Sequence, residues 1–326
     1  MKIDRRKLLL SLAALHTFSL KNIFAQDSSY PSRSIRLLVG FAAGGTPDTI
    51  ARSFAEAMSR ELGQSFVVEN RAGANGIIAA ETLAKSKPDG YTLLLTTSSI
   101  VINPSVYKKI PYDLDKEFSP ITTVAMGDGY LLVVNSKIGA KSVSELVTFA
   151  NKNKNITFSS PGVGNTLHLA AQIFCDTADI KMTHIPYKGA SPALNAVMSG
   201  EVNAMFIPPT IAVPLAKDGR ITVVGFTGQN RWTYMQEVPT IGETFKGFDI
   251  NSGWHGLFAP FGTPQETINK IHAGALKILA EPKFRDFLLK GGYESSPKSI
   301  KDFIKFVQSE KIRYGEIVKS AQIELQ

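Results

Sequence analysis

Short apolar segments alternate with amphipathic segments along most of this 326-residue chain, and this alternation restricts the possible folds more than any other feature. The apolar segments have strand length, while the amphipathic segments repeat apolar residues every three or four positions, as helices do. We predict strands at residues 35–39, 66–69, 92–96, 131–135, 156–159, 182–185, 204–207, 222–226 and 254–258. We predict helices at residues 47–62, 77–86, 143–152, 166–176, 192–199, 264–279, 282–290 and 300–320. The pattern predicts an α/β fold with helices layered on parallel sheets.

The middle of the chain has the pattern of an insertion between two parts of one domain. Residues 124–134 can carry the chain out of a first domain and residues 223–227 can bring it back, and the enclosed part has its own strand–helix alternation. We therefore predict one lobe made of residues 26–125 plus 228–326, and a second lobe made of residues 126–227. Two crossover strands of this kind form a hinge, with a cleft between the lobes.

The N-terminus has the three parts of an export signal. Residues 5–7 are basic, residues 8–20 are apolar but too few to span a bilayer, and residues 23–25 offer a cleavage site. We expect residues 1–25 to be a signal peptide and the mature protein to lie in the periplasm. The paired arginines also resemble a twin-arginine signal, so both export routes stay open. The alternative is a frayed cytosolic N-terminus.

Net charge and cysteine content exclude several classes of protein. The chain carries a formal charge of +8, of which residues 1–25 contribute five basic side chains against one acid, so the mature chain is near +4. These charges are dispersed, without a Lys/Arg run interleaved with aromatic residues, so nucleic-acid binding is unsupported. Cys175 is the single cysteine, which excludes an intrachain disulfide, and we expect it to be a packing residue.

The sequence lacks the motifs that mark catalytic, metal and cofactor sites. It has no Gly-x-Ser-x-Gly elbow, no cysteine–histidine signature, no complete dinucleotide fingerprint and no phosphate-binding loop. The histidines are scattered, without cysteine or carboxylate at ligand spacing. We therefore expect a protein without cofactor or metal that is not an enzyme.

A pair of glycines follows the first predicted strand and precedes a helix. Gly44 and Gly45 leave room for a ligand to approach the backbone, Thr46 is a good N-cap, Pro47 suits the first helical position and Asp48 lies in the first turn. The free N–H groups and the helix dipole favour an anion. However, Ser191-Pro192 and Thr263-Pro264 also resemble helix starts, and Thr263 to Glu266 resembles a capping box. Anion binding and plain punctuation both stay open.

Three further segments could contribute to a site. Residues 159–168 hold a second glycine turn, in which Asn165 is a candidate N-cap, although a plain tight turn explains that sequence better when it is taken alone. Tyr187 and Lys188 follow another predicted strand, where they could contact a ligand or form a surface turn. Thr97 and Ser98 belong to a hydroxyl-rich strand end that could donate to a carboxylate or cap the next element.

Several separate motifs together resemble the Bug-type substrate-binding proteins of tripartite tricarboxylate transporters, across about residues 30–319. In the first lobe they are Tyr30-Pro31, Gly44-Gly45-x-x-Asp48-x-x-Ala51-Arg52, Val68-Glu-Asn-Arg71 with Gly73, Lys87-Pro-Asp-Gly-Tyr-Thr-Leu93, Asn103-Pro104, Tyr107-Lys108, Pro111-Tyr112-Asp113 and Phe118-x-Pro120. In the second lobe and the return segment they are Gly162-x-Gly164-x-x-x-His168-Leu169, Pro186-Tyr-Lys-Gly189, Pro192-Ala-Leu194, Val238-Pro-Thr240, Trp254-x-Gly-Leu257 and Ala259-Pro260.

The resemblance implies a two-lobed periplasmic binding protein fold, type II-like, with the lobes joined by two crossover strands. It implies capture of a small carboxylate and delivery to the membrane permease subunits of a tripartite tricarboxylate transporter, by a protein that we expect to be a monomer. In such proteins the ligand lies against the first strand–helix turn, here residues 41–48, and against the second turn, here residues 160–166, with the Pro-Tyr-Lys-Gly segment.

This chain departs from the family pattern at the ligand. Thr46 and Pro47 are exchanged relative to the usual order, which moves a hydroxyl and removes an N–H. Asn203 stands where an acid is common, and Ile207 stands where a polar, often acidic, residue is usual. The loss of acids disfavours an amino-acid ligand, because its ammonium group would lack a partner. We therefore expect a simple mono- or dicarboxylate, with an aromatic or apolar end as one possibility.

The predicted ligand-binding residues are Phe41, Ala42, Ala43, Gly44, Gly45, Thr46, Asp48, Thr97, Ser98, Ser160, Gly162, Gly164, Asn165, Thr166, Tyr187 and Lys188. Two alternatives remain at this point. A periplasmic ligand-sensing subunit for a two-component signalling system would share the same sequence features, and an exported enzyme is the third hypothesis.

Overall fold

The computed structural model describes residues 30–246, 248, 250, 253–320 and 325. Residues 33–320 hold the strands and helices, whereas residues 30–32 belong to a separate unit, and the predicted signal peptide lies outside the described residues. The strands are β1 (Ile35–Val39), β2 (Phe66–Asn70), β3 (Thr92–Thr97), β4 (Phe118–Gly127), β5 (Leu131–Asn135), β6 (Thr157–Ser160), β7 (Thr183–Pro186), β8 (Ala204–Ile207), β9 (Ile221–Phe226), β10 (Trp254–Pro260) and β11 (Tyr293–Glu294).

The helices cover the strands in alternation with them. They are α1 (Thr46–Leu62), α2 (Ile77–Ala84), α3 (Ser99–Val106), α4 (Leu114–Glu117), α5 (Val143–Lys152), α6 (Thr166–Ala178), α7 (Ala190–Ser199), α8 (Pro209–Lys217), α9 (Ile241–Thr244), α10 (Gln265–Ala280), α11 (Pro282–Lys290) and α12 (Ile300–Ser320). Single 3₁₀ turns lie at Ala74–Gly76 and Ser136–Ile138. No helix in the described ranges is long and apolar enough to cross a membrane.

The strands form two sheets, which confirms the predicted α/β fold. The first sheet has the order β11-β4-β10-β3-β1-β2, and the second has the order β7-β6-β8-β5-β9. Both sheets are mixed, although the alternation alone predicts parallel ones. β1 pairs parallel with β2 and β3, whereas β4, β10 and β11 run antiparallel to their neighbours. In the second sheet β5 pairs antiparallel with both β8 and β9.

The chain passes between the two sheets twice, and the two passages lie side by side. Residues 128–130 connect β4 to β5, and residues 227–253 connect β9 to β10. The N–H of Tyr130 donates to Oγ1 of Thr227 at 2.9 Å, and the N–H of Thr227 donates to the Tyr130 carbonyl, also at 2.9 Å. The two passages are therefore hydrogen-bonded to each other, and the lobe boundaries predicted from the sequence stay a prediction.

Residues 131–134 of β5, an inner strand of the second sheet, form an unbroken apolar run because helices cover both faces of this sheet. Leu131 and Val133 of β5 pack on the side that carries α7 and α8, while Leu132 and Val134 pack on the side that carries α5 and α6. Successive residues of a strand point to opposite faces, so a doubly covered strand needs an unbroken apolar run. Cys175 lies buried in this core, as expected.

Three elements that the sequence pattern does not predict, α3, α8 and β4, each contain a proline. Pro104 lies inside α3 and Pro214 inside α8, and proline ordinarily ends a helix. Pro120 lies in β4, opposite Phe258, next to a register shift between β4 and β10. Proline cannot donate to a ladder, but an irregularity of this kind tolerates it.

Several predicted helix caps are wrong: the N-cap is not the Ser or Thr that the sequence suggests. The N-cap of α1 is Gly45 rather than Thr46, α7 begins at Ala190 after Gly189 rather than at Ser191-Pro192, and α10 begins at Gln265 after Pro264. Thr263 instead donates its hydroxyl to the Pro260 carbonyl at 2.8 Å, so the capping box does not form. Asn165 is confirmed as the N-cap of α6, and its Oδ1 accepts from the N–H of Leu167.

Candidate ligand-binding site

A central cavity that is partly open to solvent lies between segments from both sheets. The first sheet contributes the residues after β1, the end of β3 and the start of β10, and the second contributes the residues after β6, β7 and β8. The described lining residues are Phe41, Gly45, Thr46, Pro47, Thr97, Ser98, Tyr130, Pro161, Asn165, Thr166, Leu167, Ala190, Pro208, Gly253, Trp254, His255 and Tyr293.

The first residues of five described helices line this central cavity. Each of these helices is the next helix after a strand, so its N-terminus lies at the edge of the sheet where that strand ends. They are α1 through Gly45 to Pro47, α3 through its N-cap Ser98, α6 through Asn165 to Leu167, α7 through Ala190, and α8 through its N-cap Pro208. Each helix N-terminus carries a partial positive charge of about half a unit.

The lining of the central cavity has no Lys, Arg, Asp or Glu among the described residues. Its positive potential therefore comes from backbone dipoles rather than from basic side chains. Such a cavity can attract an anion although no Lys or Arg side chain is there to form an ion pair with it. Hydrogen bonds then determine which anion binds.

Asp48 organises the turn that precedes α1. Its buried carboxylate accepts hydrogen bonds from the N–H of Gly44 at 2.9 Å, from Nε of Arg52 at 3.0 Å and from Nδ2 of Asn70 at 2.9 Å. Burial alone would raise the pKa of Asp48, but these hydrogen bonds outweigh it and lower the pKa below its ordinary value. The Gly44 N–H therefore already has a partner within the protein. The Gly45 N–H also has one, because it donates to the Ala42 carbonyl at 3.4 Å.

Thr46 and Ser98 line the central cavity, and both have buried hydroxyls. Thr46 is 2% exposed and Ser98 is fully buried, yet neither hydroxyl has a hydrogen-bond partner of normal geometry among the described residues. The phenol of Tyr314, which also lacks such a partner, lies near enough to Ser98 for the two to influence each other. Leaving a buried hydroxyl unpaired costs free energy, which an acceptor on a ligand would recover.

The second glycine turn is held together by two histidines. Oγ of Ser160 lies 2.7 Å from Nε2 of His184, and the N–H of Gly164 donates to Nδ1 of His168 at 3.0 Å. The two imidazoles stack with their centroids 3.9 Å apart. Burial lowers the pKa of His168 to about 4, and burial together with the neighbouring His168 lowers the pKa of His184 to about 3. Neutral rings suit this arrangement, because Nδ1 of His168 must accept.

The second glycine turn contacts residues that follow β2 and β3 of the first sheet. Nδ2 of Asn165 donates to Oδ1 of Asn75 and to Oγ of Ser99, each at 3.3 Å. A Cβ on Gly164 would lie 2.6 Å from Cγ2 of Val106, so only glycine fits there in this arrangement. The loops of the two sheets are therefore in direct contact beside the central cavity.

A neighbouring cavity shares Phe41 and Pro161 with the central cavity. Its lining also includes Gly162, Tyr187 and Lys188. The hydroxyl of Tyr187 donates to Oε1 of Glu201 at 3.0 Å, which directs its polar end to that carboxylate.

The predicted site residues divide into three groups. Those that line the central cavity are Phe41, Gly45, Thr46, Thr97, Ser98, Asn165 and Thr166. Those that line only the neighbouring cavity are Gly162, Tyr187 and Lys188. Those that are not in the described lining of either are Ala42, Ala43, Gly44, Asp48, Ser160 and Gly164, of which the last four make the turn contacts described above.

Part of the central cavity comes from residues that the sequence does not single out. Tyr130 joins the crossover to α6 and to the return segment, since its hydroxyl lies 2.8 Å from Oγ1 of Thr166 and accepts from the N–H of Gly253 at 2.7 Å. His255 is 3% exposed, and both of its ring nitrogens lack a partner among the described residues. His255 lies within the Trp254-x-Gly motif, which could have drawn attention to it. The motif does not show whether such a residue packs in the core or contacts a ligand.

Known proteins share both the sequence and the fold of this chain. Residues 50–323 match the family described as tripartite tricarboxylate transporter family receptor, TctC. A relative from Pseudomonas sp. strain P51, the UPF0065 protein in the tcbD-tcbE intergenic region, is 32% identical over 97% of this chain and 94% of its own length. The structure of the periplasmic binding protein BugD has a TM-score of 0.86 at 31% identity, over 91% of this chain and all of its own.

Two similar structures contain carboxylates. Rpa4515 of R. palustris, solved with adipate, has a TM-score of 0.87 at 30% identity, over 91% of this chain and all of its own. MatC (Rpa3494) of Rhodopseudomonas palustris, solved with bound malate, has a TM-score of 0.81 at 28% identity, over 89% of this chain and all of its own. With a family match over most of its length and this shared two-lobed fold, the chain belongs to the tripartite tricarboxylate transporter receptor family, to which the Bug-type binding proteins are related.

Proposed function

We propose that this protein is an extracytoplasmic solute-binding protein that captures a small carboxylate for a tripartite tricarboxylate-type transporter. In this proposal residues 1–25 direct export, the mature protein acts as a monomer in the periplasm, and the permease subunits receive the ligand. The two lobes are residues 26–125 plus 228–326 and residues 126–227, and the ligand lies between them in the central cavity.

The observation that carries the proposal is the convergence of five helix N-termini on a cavity whose described lining has no charged side chain of the Lys, Arg, Asp or Glu type. A carboxylate has lone pairs enough to accept several N–H and O–H donors at once. The unpartnered hydroxyl of Thr46 lies where α1 begins, beside its first N–H groups. Each hydrogen bond to a charged group contributes about 1.5–3 kcal/mol, so a few of them would hold the anion.

The carboxylates in the two similar structures support this class of ligand without naming the one that this chain binds. The lining also argues against a free amino acid, because none of the described lining residues offers a carboxylate to an ammonium group. A mono- or dicarboxylate with an uncharged remainder fits the polar and aromatic lining best.

Titration calorimetry of the mature protein against a panel of small mono- and dicarboxylates tests the proposal. Native mass spectrometry of the purified protein, which detects a ligand carried through purification, would identify the natural compound. Absence of binding across the panel, together with no retained carboxylate, would contradict the proposal. Uptake of the identified compound should be lost when the gene is deleted, and an unchanged rate of uptake would contradict the transport role.

A pair of threonine variants separates ligand contacts from structural ones. Thr46→Val removes an unpartnered hydroxyl, so we expect unchanged or higher stability but weaker binding of the carboxylate. Thr263→Val is the matched control, because its hydroxyl donates to the Pro260 carbonyl outside the central cavity. The control should lose stability and keep its affinity. If Thr46→Val loses stability and keeps its affinity, Thr46 does not contact the ligand.

A further inference from the structure

His255 is a buried imidazole that uses neither of its ring nitrogens within the described residues. It lies near the start of β10 and lines the central cavity, where its ring meets Tyr293 edge-on at 5.1 Å between centroids. Burial lowers the pKa of His255 to about 3, so the ring is neutral near pH 7. A neutral imidazole has one donor and one acceptor, and both stay unsatisfied here at a cost in free energy.

The sheet places His255 away from the first helix turn. Its partner across the ladder is Thr97 at the end of β3, and β3 is in turn the neighbour of β1, which leads into α1. His255 and the end of β1 therefore share one edge of the sheet, two strand positions apart. Neighbouring strands are separated by about 4.8 Å, so the two positions are about 10 Å apart along this edge. One extended small molecule with its hydrogen bonds can span that distance.

We infer that His255 is a specificity-determining residue that binds an uncharged hydroxyl group at the end of the ligand remote from its carboxylate. This inference rests on the proposed function, because it assumes a carboxylate at the start of α1. A hydroxyl can donate to one imidazole nitrogen or accept from the other, whereas an ionised carboxylate can only accept. A second carboxylate at this end could accept from one ring nitrogen of His255 but would leave the other ring nitrogen without a donor. The favoured ligand class is thus a monocarboxylate with a polar, uncharged far end.

Two matched series of acids test the inference by calorimetry. They are butanoate, 4-hydroxybutanoate and succinate, and hexanoate, 6-hydroxyhexanoate and adipate, so that within each series only the far end changes. For the wild type we expect the hydroxy acid of one series to bind more tightly than both of its partners. His255→Leu should weaken binding of that hydroxy acid by about tenfold, the value of one hydrogen bond, and leave the alkyl acid nearly unchanged.

Two further variants control for packing. His255→Gln keeps a donor and an acceptor and should recover much of the affinity for the hydroxy acid. His272→Gln changes a histidine outside the central cavity, whose Nε2 lies 3.0 Å from the Lys298 carbonyl, and should not alter the preference between acids. His255→Leu removes an unpartnered buried polar group, so we expect it to fold, which thermal unfolding verifies.

The outcomes separate the inference from the proposed function. Equal losses for the alkyl and hydroxy acids in His255→Leu would assign His255 to packing and overturn the inference alone. A wild-type preference for the diacid that depends on His255 would also overturn it. No binding of any acid to the wild type would overturn the inference and the proposed carboxylate function together.

Discussion

The side-chain amide of Asn165 donates a hydrogen bond to Oδ1 of Asn75, 3.3 Å away, and this bond joins a loop of the second sheet to a loop of the first. Asn75 is itself fixed by Asn103, whose Oδ1 accepts from Nδ2 of Asn75 at 2.8 Å. Asn165 thus has two tasks, because its Oδ1 caps α6 while its Nδ2 reaches across to the first sheet. One substitution can separate them.

Asn165→Asp should weaken ligand binding more than it weakens the fold. Aspartate remains a good N-cap, so α6 should keep its start, but the donor to Asn75 and Ser99 is replaced by an acceptor. We expect about tenfold lower affinity with a melting temperature near that of the wild type. Calorimetry and thermal unfolding measure the two effects. Asn153→Asp removes an exposed amide bond to the Phe149 carbonyl and serves as the control. Unchanged affinity in Asn165→Asp would show that this bond does not stabilise the bound state.

Gly164→Ala should weaken ligand binding as well as strain the backbone. Gly164 and Gly63 have the same φ of +70°, but a Cβ on Gly63 meets nothing within 4 Å, whereas one on Gly164 meets Val106. Both variants should lose about 1 kcal/mol of stability from the left-handed backbone. Only Gly164→Ala should add a clash of about 1–3 kcal/mol across the cleft, a 5- to 150-fold loss of affinity. Equal affinities in the two variants would refute this.

Asp48→Asn should loosen the first turn. The substitution removes the charge that accepts from Arg52 and replaces one acceptor oxygen with a donor that faces other donors. We expect a loss of about 1.5–3 kcal/mol in the free energy of unfolding, measured with urea, and weaker ligand binding. Asp115→Asn, at a half-exposed ion pair with Lys311, should change stability by less than about 1 kcal/mol. Similar losses in both variants would mean that Asp48 has no special role in the turn.

Mild acid should destabilise the protein through its buried histidines. The pKa of His168 is lowered to about 4 and that of His255 to about 3, against about 6.5 for an unfolded histidine. Between these values the unfolded chain binds more protons, so stability is greatest above pH 6.5 and falls as the pH drops towards 4. At pH 5 each histidine should cost about 2 kcal/mol. Urea unfolding at pH 7 and pH 5 measures this loss.

His255→Leu should reduce the difference in stability between pH 7 and pH 5, because it removes one of the groups that must stay neutral. The carboxylates titrate mostly below this range, so the comparison reports chiefly on histidine. If the variant and the wild type lose the same stability between the two pH values, burial does not lower the pKa of His255 in the folded protein.

Local periodicity was sufficient to locate most of the fold. The structure confirms the predicted bounds of β1, β5 and β8 and of α5, α11 and α12. These strands are short, mostly apolar runs, and these helices repeat apolar residues every three or four positions. β4, α3 and α8 were missed because their prolines normally interrupt such elements, and here neighbouring structure tolerates them. The cap at Thr46 was wrong because glycine, directly before it, already provides the extended backbone that an N-cap needs.

The sequence by itself determined the α/β class, the glycine turns after β1 and β6, and the resemblance to a family of carboxylate-binding proteins. These properties depend on periods and motifs within short stretches of chain. Only the tertiary structure decided which groups face the central cavity. It assigned the Gly44 N–H to Asp48, left Thr46 and His255 without partners among the described residues, and brought five helix N-termini together. The physical reason is that hydrogen-bond saturation depends on residues far apart in the chain, such as Asn75 and Asn165, and no local pattern records it.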